Sequence, residues 1–123
     1  MATISKISLS ESANDEGLPI KVAADDTAGT DIHVGPSVAA DYDEIWIWAS
    51  NTNTSTETLV LEWGGTTNPD HRMITTINPN ETVLVAPGWI LKCNASTALI
   101  VKAFSTTANK VIIQGYVNRI DAA

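Results

Sequence analysis

Apolar residues in this chain recur at alternate positions, the spacing of extended backbone. Between residues 57 and 63, Leu59, Leu61 and Trp63 fall on one face of an extended segment, and Thr58, Val60 and Glu62 fall on the other. Near the start, Ile7 and Leu9 alternate with Lys6 and Ser8 in the same way. No segment carries apolar residues at helical spacing over the ten or more positions a helix requires. Short runs rich in Ile, Val, Thr, Leu and Trp recur instead, separated by Gly, Pro, Asn and Asp. They predict strands over residues 3–9, 20–23, 30–34, 44–49, 57–63, 73–77, 81–85, 89–93, 98–104 and 110–119. The implied fold is all-β: one antiparallel β-sandwich, jelly-roll-like, of about 8–10 short strands.

Turn chemistry fits that spacing. Gly35-Pro36, Gly64-Gly65, Asn68-Pro69-Asp70, Asn78-Pro79-Asn80 and Pro87-Gly88 each join a fixed φ to a residue that tolerates φ > 0. Hairpin-like reversals are expected at all five places. The stretch from Asn51 to Thr56 is a polar loop whose side chains can bond their own backbone, and it is expected on the surface.

Two features break the rule of one buried and one wet face. In the segment from Glu44 to Ala49, Ile45 and Ile47 point one way while Trp46 and Trp48 point the other, so neither face is polar. Residues 89–93 and 110–114 show the same excess more weakly. A small sandwich core uses one face of each sheet, so the surplus apolar surface implies contact with another subunit.

Composition narrows the reading. With 123 residues, 44% of them hydrophobic and 17% charged, the chain can bury one core, and a single domain spanning 1–123 is expected. The net charge of −7, with its seven basic residues scattered, argues against nucleic acid and against anionic membranes as partners. The first residues lack the basic and apolar regions of a secretory signal, so a soluble protein made in the cytoplasm is expected. Cys93 is the sole cysteine; no internal disulfide can form, and it is expected to be buried as a small hydrophobe.

Candidate chemistry is thin. His33 lies near Asp31 and His71 beside Asp70, yet neither spacing matches a metal or acid-base motif, and ordinary surface or strand histidines are expected. Asp41, Asp43 and Glu44, or Asp25, Asp26 and Asp31, lack the ligand pattern of a calcium loop and read as solvated turns. No catalytic, cofactor-binding or metal-binding set is identified. The four tryptophans are more informative. About two of them are expected in the core, Trp46 or Trp48 as an interface anchor, and Trp63 or Trp89 as an alternative sugar-stacking platform. The turn-rich segment from Trp63 to His71 is the most promising binding loop. The candidate interface residues are therefore Trp46, Trp48, Trp63, His71 and Trp89.

Five segments carry a resemblance: Ala2-Thr-Ile-Ser-Lys-Ile-Ser-Leu9, Asp43-Glu-Ile-Trp-Ile-Trp-Ala-Ser-Asn-Thr52, Glu62-Trp-Gly-Gly-Thr-Thr-Asn-Pro-Asp70, Val85-Ala-Pro-Gly-Trp89 and Ile113-Gln-Gly-Tyr-Val-Asn-Arg119. Together they resemble small structural proteins of tailed bacteriophages, in particular head decoration or cement proteins. The resemblance implies a non-enzymatic, β-rich virion subunit, without cofactor, that forms a homo-oligomer, most often a trimer, and reinforces the major capsid protein at the capsid surface. Two other readings stay open: a carbohydrate-binding module or receptor-binding tail component that uses exposed tryptophans, and a small cupin-like enzyme, which would need more clustered histidines than this chain has.

Overall fold

A computed structural model describes residues 2–122. Eleven strands are found: β1 (Thr3–Ser8), β2 (Ile20–Lys21), β3 (Thr30–Val34), β4 (Tyr42–Asn51), β5 (Glu57–Trp63), β6 (Arg72–Ile77), β7 (Thr82–Leu91), β8 (Cys93–Asn94), β9 (Thr97–Ala98), β10 (Ile100–Ser105) and β11 (Val111–Asp121). Among the described residues the sole helical element is a short 3-10 turn at Ala13–Asp15, which the alternation did not predict.

The strands form two sheets and a small hairpin. The first sheet runs β1-β11-β4-β7, with β2 pairing β11 beyond the end of β1; the second runs β3-β10-β5-β6; β8 pairs β9 alone. All pairings are antiparallel. Among the eight longer strands, β1 pairs β11, β3 pairs β10, β4 pairs β7 and β5 pairs β6. These four pairs nest inside one another, as if one long hairpin had been wound around the core, and that nesting is the topology of a jelly roll.

Alternation then builds the core. From the first sheet Ile45, Ile47, Ala49, Val111, Ile113 and Val117 point inward, and from the second Ile32, Leu59, Leu61, Ile77, Val101 and Ala103 meet them. Each isoleucine or leucine so enclosed contributes roughly 1.5–3 kcal/mol relative to exposure.

Three expectations change. Most of the expected strands 81–85 and 89–93 merge into one bulged strand, β7, which ends at Leu91, so Pro87-Gly88 is not a reversal. The physical reason is position: β7 is an edge strand, where a missing proline N–H costs no ladder bond, and Gly88 at φ +74 supplies the bulge. Residues 98–104 divide between β9 and β10, because residues 93–98 fold back as their own hairpin. Asn51, at the start of the expected surface loop, is buried. Its Nδ2 donates to the carbonyls of Ser55 and Ile77, and its Oδ1 accepts from the Asn53 N–H, so it is the loop's anchor.

The outer faces of the two sheets differ. On the second sheet the segment before β3 folds across β5: the Thr27 hydroxyl and the Gly29 N–H donate to the buried Glu62 carboxylate at 2.6 and 2.7 Å. On the first sheet's outer face the segment after β1 is held at Ser8 and Gln114, whose side chains donate to the Asp15 and Gly17 carbonyls.

Candidate functional site

The same outer face carries a cluster of half-buried aromatic rings. Because Ile45, Ile47 and Ala49 take the inner positions of β4, Trp46 and Trp48 stand outside, and Tyr116 lies opposite Trp46 on β11. The three rings are near parallel: Trp46 and Tyr116 lie 6.2 Å apart, Trp48 and Tyr116 6.1 Å, and Trp46 and Trp48 6.4 Å between centroids. Lys6 on β1 places its ammonium 4.5 Å from the centre of the Tyr116 ring, a cation–π contact.

Neighbours orient the cluster. The Trp46 indole N–H donates to Glu44 Oε1 at 2.7 Å, and Asn118 Nδ2 donates to the same oxygen at 3.0 Å. These two bonds hold the Glu44 carboxyl below the usual carboxylate range. The half-buried rings continue into exposed Leu84 opposite Trp48 and, at the far edge, Ile4, which is 71% exposed. The only charges among these outward positions of β1, β11 and β4 are Lys6 and Glu44, one of each sign. The face is thus locally neutral and aromatic, a composition that interaction surfaces favour.

A second feature lies where the two sheets part. Trp63, at the end of β5, and Trp89, on β7, meet edge to face at 5.4 Å and 82°. The Trp63 indole N–H donates to the Ile90 carbonyl at 3.1 Å, tying one sheet to the other. With Asp70, His71 and Met73 they line a cleft of about 380 Å³. The His71 ring is fixed from two sides. Its Nδ1 accepts the Thr67 N–H at 3.2 Å, and it lies so close to Gly65 that a Cβ there would come within 2.7 Å of Cε1.

A buried titratable cluster at His33 is structural. His33, Asp43 and Arg119 meet between the sheets, with His33 Nε2 2.7 Å from Asp43 Oδ2, and Arg119 Nε and an Nη each donating to the carboxylate at 2.8 Å. The Ser10 backbone N–H donates to His33 Nδ1 at 3.0 Å, which leaves Nε2 to carry the ring proton toward Asp43. Burial works against the Asp43 carboxylate, but the hydrogen bonds from Arg119 and His33 and the Arg119 charge outweigh it, so its pKa lies below the ordinary value. His33 and Asp43 are fully buried, so no substrate reaches them. Asp31, the sequence neighbour of His33, turns instead to Lys102.

The structure thus sorts the five candidate interface residues into two places: Trp46 and Trp48 on the sheet face, and Trp63, His71 and Trp89 at the cleft. All four indoles are only partly buried, whereas about two were expected in the core; Trp63 and Trp89 do pack against the core cluster. Cys93 is half-buried, not enclosed, with its thiol 3.0 Å from the Ala95 carbonyl. Two contributors were not singled out from sequence: Tyr116 and Met73. Tyr116 was findable, since in an extended segment it shares a face with the polar Gln114 and Asn118 and not with the apolar Ile113 and Val117; Met73 was not, because its partners come from other strands. Among the described residues, no three of His, Cys, Asp and Glu gather as a metal site. No protein-family model matches the chain, and no curated protein is similar to it in sequence.

Proposed function

We propose that this chain is a non-enzymatic structural subunit of a tailed-bacteriophage virion, a head decoration or cement protein that forms a homotrimer and binds major capsid subunits at the capsid surface. The observation that carries the reading is the Trp46-Trp48-Tyr116 cluster. Three large rings stand outside a complete core, where they add no closure to the subunit itself. Large rigid side chains of this type anchor protein interfaces because they bury much area at low entropy cost.

Its occupant in this reading is a second copy of the chain. Each subunit carries −7, which opposes self-association, but the aromatic face balances Lys6 against Glu44, so copies meet there without like charges opposed. Once joined, several modest contacts on one rigid oligomer act together on the capsid, and avidity supplies tight attachment. The five segments resembling phage decoration proteins give the biological setting, and three of them contribute residues to the aromatic face: Lys6, the Glu44 to Trp48 run, and Tyr116.

Size-exclusion chromatography with light scattering tests the proposal. The expected result at micromolar concentration is a particle of three times the 13.1 kDa subunit mass. A strictly monomeric species overturns it. Electron microscopy of capsids with and without the protein then reads the attachment directly.

A further inference from the structure

The cleft between Trp63 and Trp89 is separate from the aromatic face and has its own chemistry. We infer that it is a glycan-binding site that takes one pyranose ring of a neutral sugar, with the sugar's C–H face against indole and its hydroxyls between Asp70 and His71.

The size fits first. A cleft of about 380 Å³ lies at the lower end of the range for small-molecule sites, and its composition, apolar walls with a few converging polar groups, is that of such sites. The polar pair then selects the ligand. Because His71 Nδ1 is taken by the Thr67 N–H, the ring offers Nε2–H as a donor, while the Asp70 carboxylate offers only acceptors. A hydroxyl both donates and accepts, so vicinal hydroxyls satisfy both groups at once. A quaternary ammonium in the same aromatic corner would satisfy Asp70 and leave the imidazole N–H without an acceptor. An aliphatic side chain would satisfy neither.

The walls are preorganised. Trp63 is held by the Ile90 carbonyl, Trp89 by its edge-to-face contact, and the loop bearing Asp70 and His71 by the His71 N–H to Thr67 carbonyl bond at 3.0 Å and the Arg72 N–H to Pro69 carbonyl bond at 3.1 Å. Little ordering is left for the ligand to impose. A neutral sugar is also indifferent to the subunit charge of −7.

Tryptophan fluorescence of the intact chain, titrated with glucose, galactose, N-acetylglucosamine and their oligosaccharides and, separately, with tetramethylammonium chloride, tests the inference. One sugar series should give a saturable change with a dissociation constant on the order of 1 mM for the monosaccharide. Asp70→Asn, at an exposed position that leaves the fold intact, should weaken that sugar at least ten-fold without altering the oligomer, and Trp89→Phe should weaken it as well. No saturable change with any sugar at tens of millimolar, a response to tetramethylammonium alone, or undiminished binding by Asp70→Asn each overturns the assignment.

Discussion

The Trp46 indole lies directly over Gly88, so close that a Cβ at residue 88 would stand 2.9 Å from Trp46 Cζ2. Gly88 also holds φ at +74, a region that L side chains rarely adopt. One residue thus makes the bulge in β7 and clears the seat for the outward Trp46 ring.

Gly88→Ala should therefore act twice. The strained backbone costs about 1–3 kcal/mol, measurable as a lower midpoint in urea unfolding. The displaced indole should weaken near-ultraviolet circular dichroism even under conditions where the variant stays folded.

Trp48→Ala should separate assembly from folding. The side chain is half-exposed on the outer face, so subunit stability should fall by no more than about 1 kcal/mol, while loss of an interface anchor costs about 2 kcal/mol or more in association. Sedimentation equilibrium and chemical unfolding of the same variant check the two sides. Equal losses in both would place Trp48 in the ordinary core.

Arg119→Ala should be among the most damaging surface-accessible changes. It strips two hydrogen bonds from a carboxylate that is itself fully buried. Removing one partner of a buried pair costs about 3–5 kcal/mol, here reduced to roughly 2–3 because Arg119 is 35% exposed and water can reach the vacated site. Arg119→Met with Asp43→Asn should recover part of the loss, as read by thermal unfolding.

Acid should destabilise the fold through Asp43 and Glu57. Burial opposes both charges, but hydrogen bonds outweigh it: Arg119 and His33 at Asp43, Asn53 and the Thr107 N–H at Glu57. Both folded pKa values lie below the ordinary carboxylate values of about 4. Their stabilising contribution is thus complete above that pH and disappears as the pH falls through the depressed folded values. Thermal unfolding should be nearly flat just above pH ~5 and drop steeply below pH ~4, and Asp43→Asn should flatten the drop.

Local pattern carried far in some places. The run from Glu44 to Ala49 showed two apolar faces before any fold was considered, and a strand can present two faces only on opposite sides of a sheet, so Ile45 and Ile47 inside required Trp46 and Trp48 outside. Pro87-Gly88 misled for an equally physical reason: the same dipeptide makes a reversal between strands or a bulge within an edge strand, and which occurs depends on whether β4 lies alongside to keep pairing.

What the amino-acid order determined by itself was the class of structure, the positions of most strands and which residues share a face, because side-chain alternation along extended backbone is a local property. The tertiary structure alone decided which distant strands are neighbours. That choice brings His33 to Asp43 and Arg119 instead of to Asp31, sets Tyr116 beside the two tryptophans, and closes Trp63, Trp89, Asp70, His71 and Met73 around one cleft. Contacts of this kind join residues on different strands, ten positions apart for His33 and Asp43 and 76 for Asp43 and Arg119, and they depend on how the nested hairpin winds around the core, which no local pattern encodes.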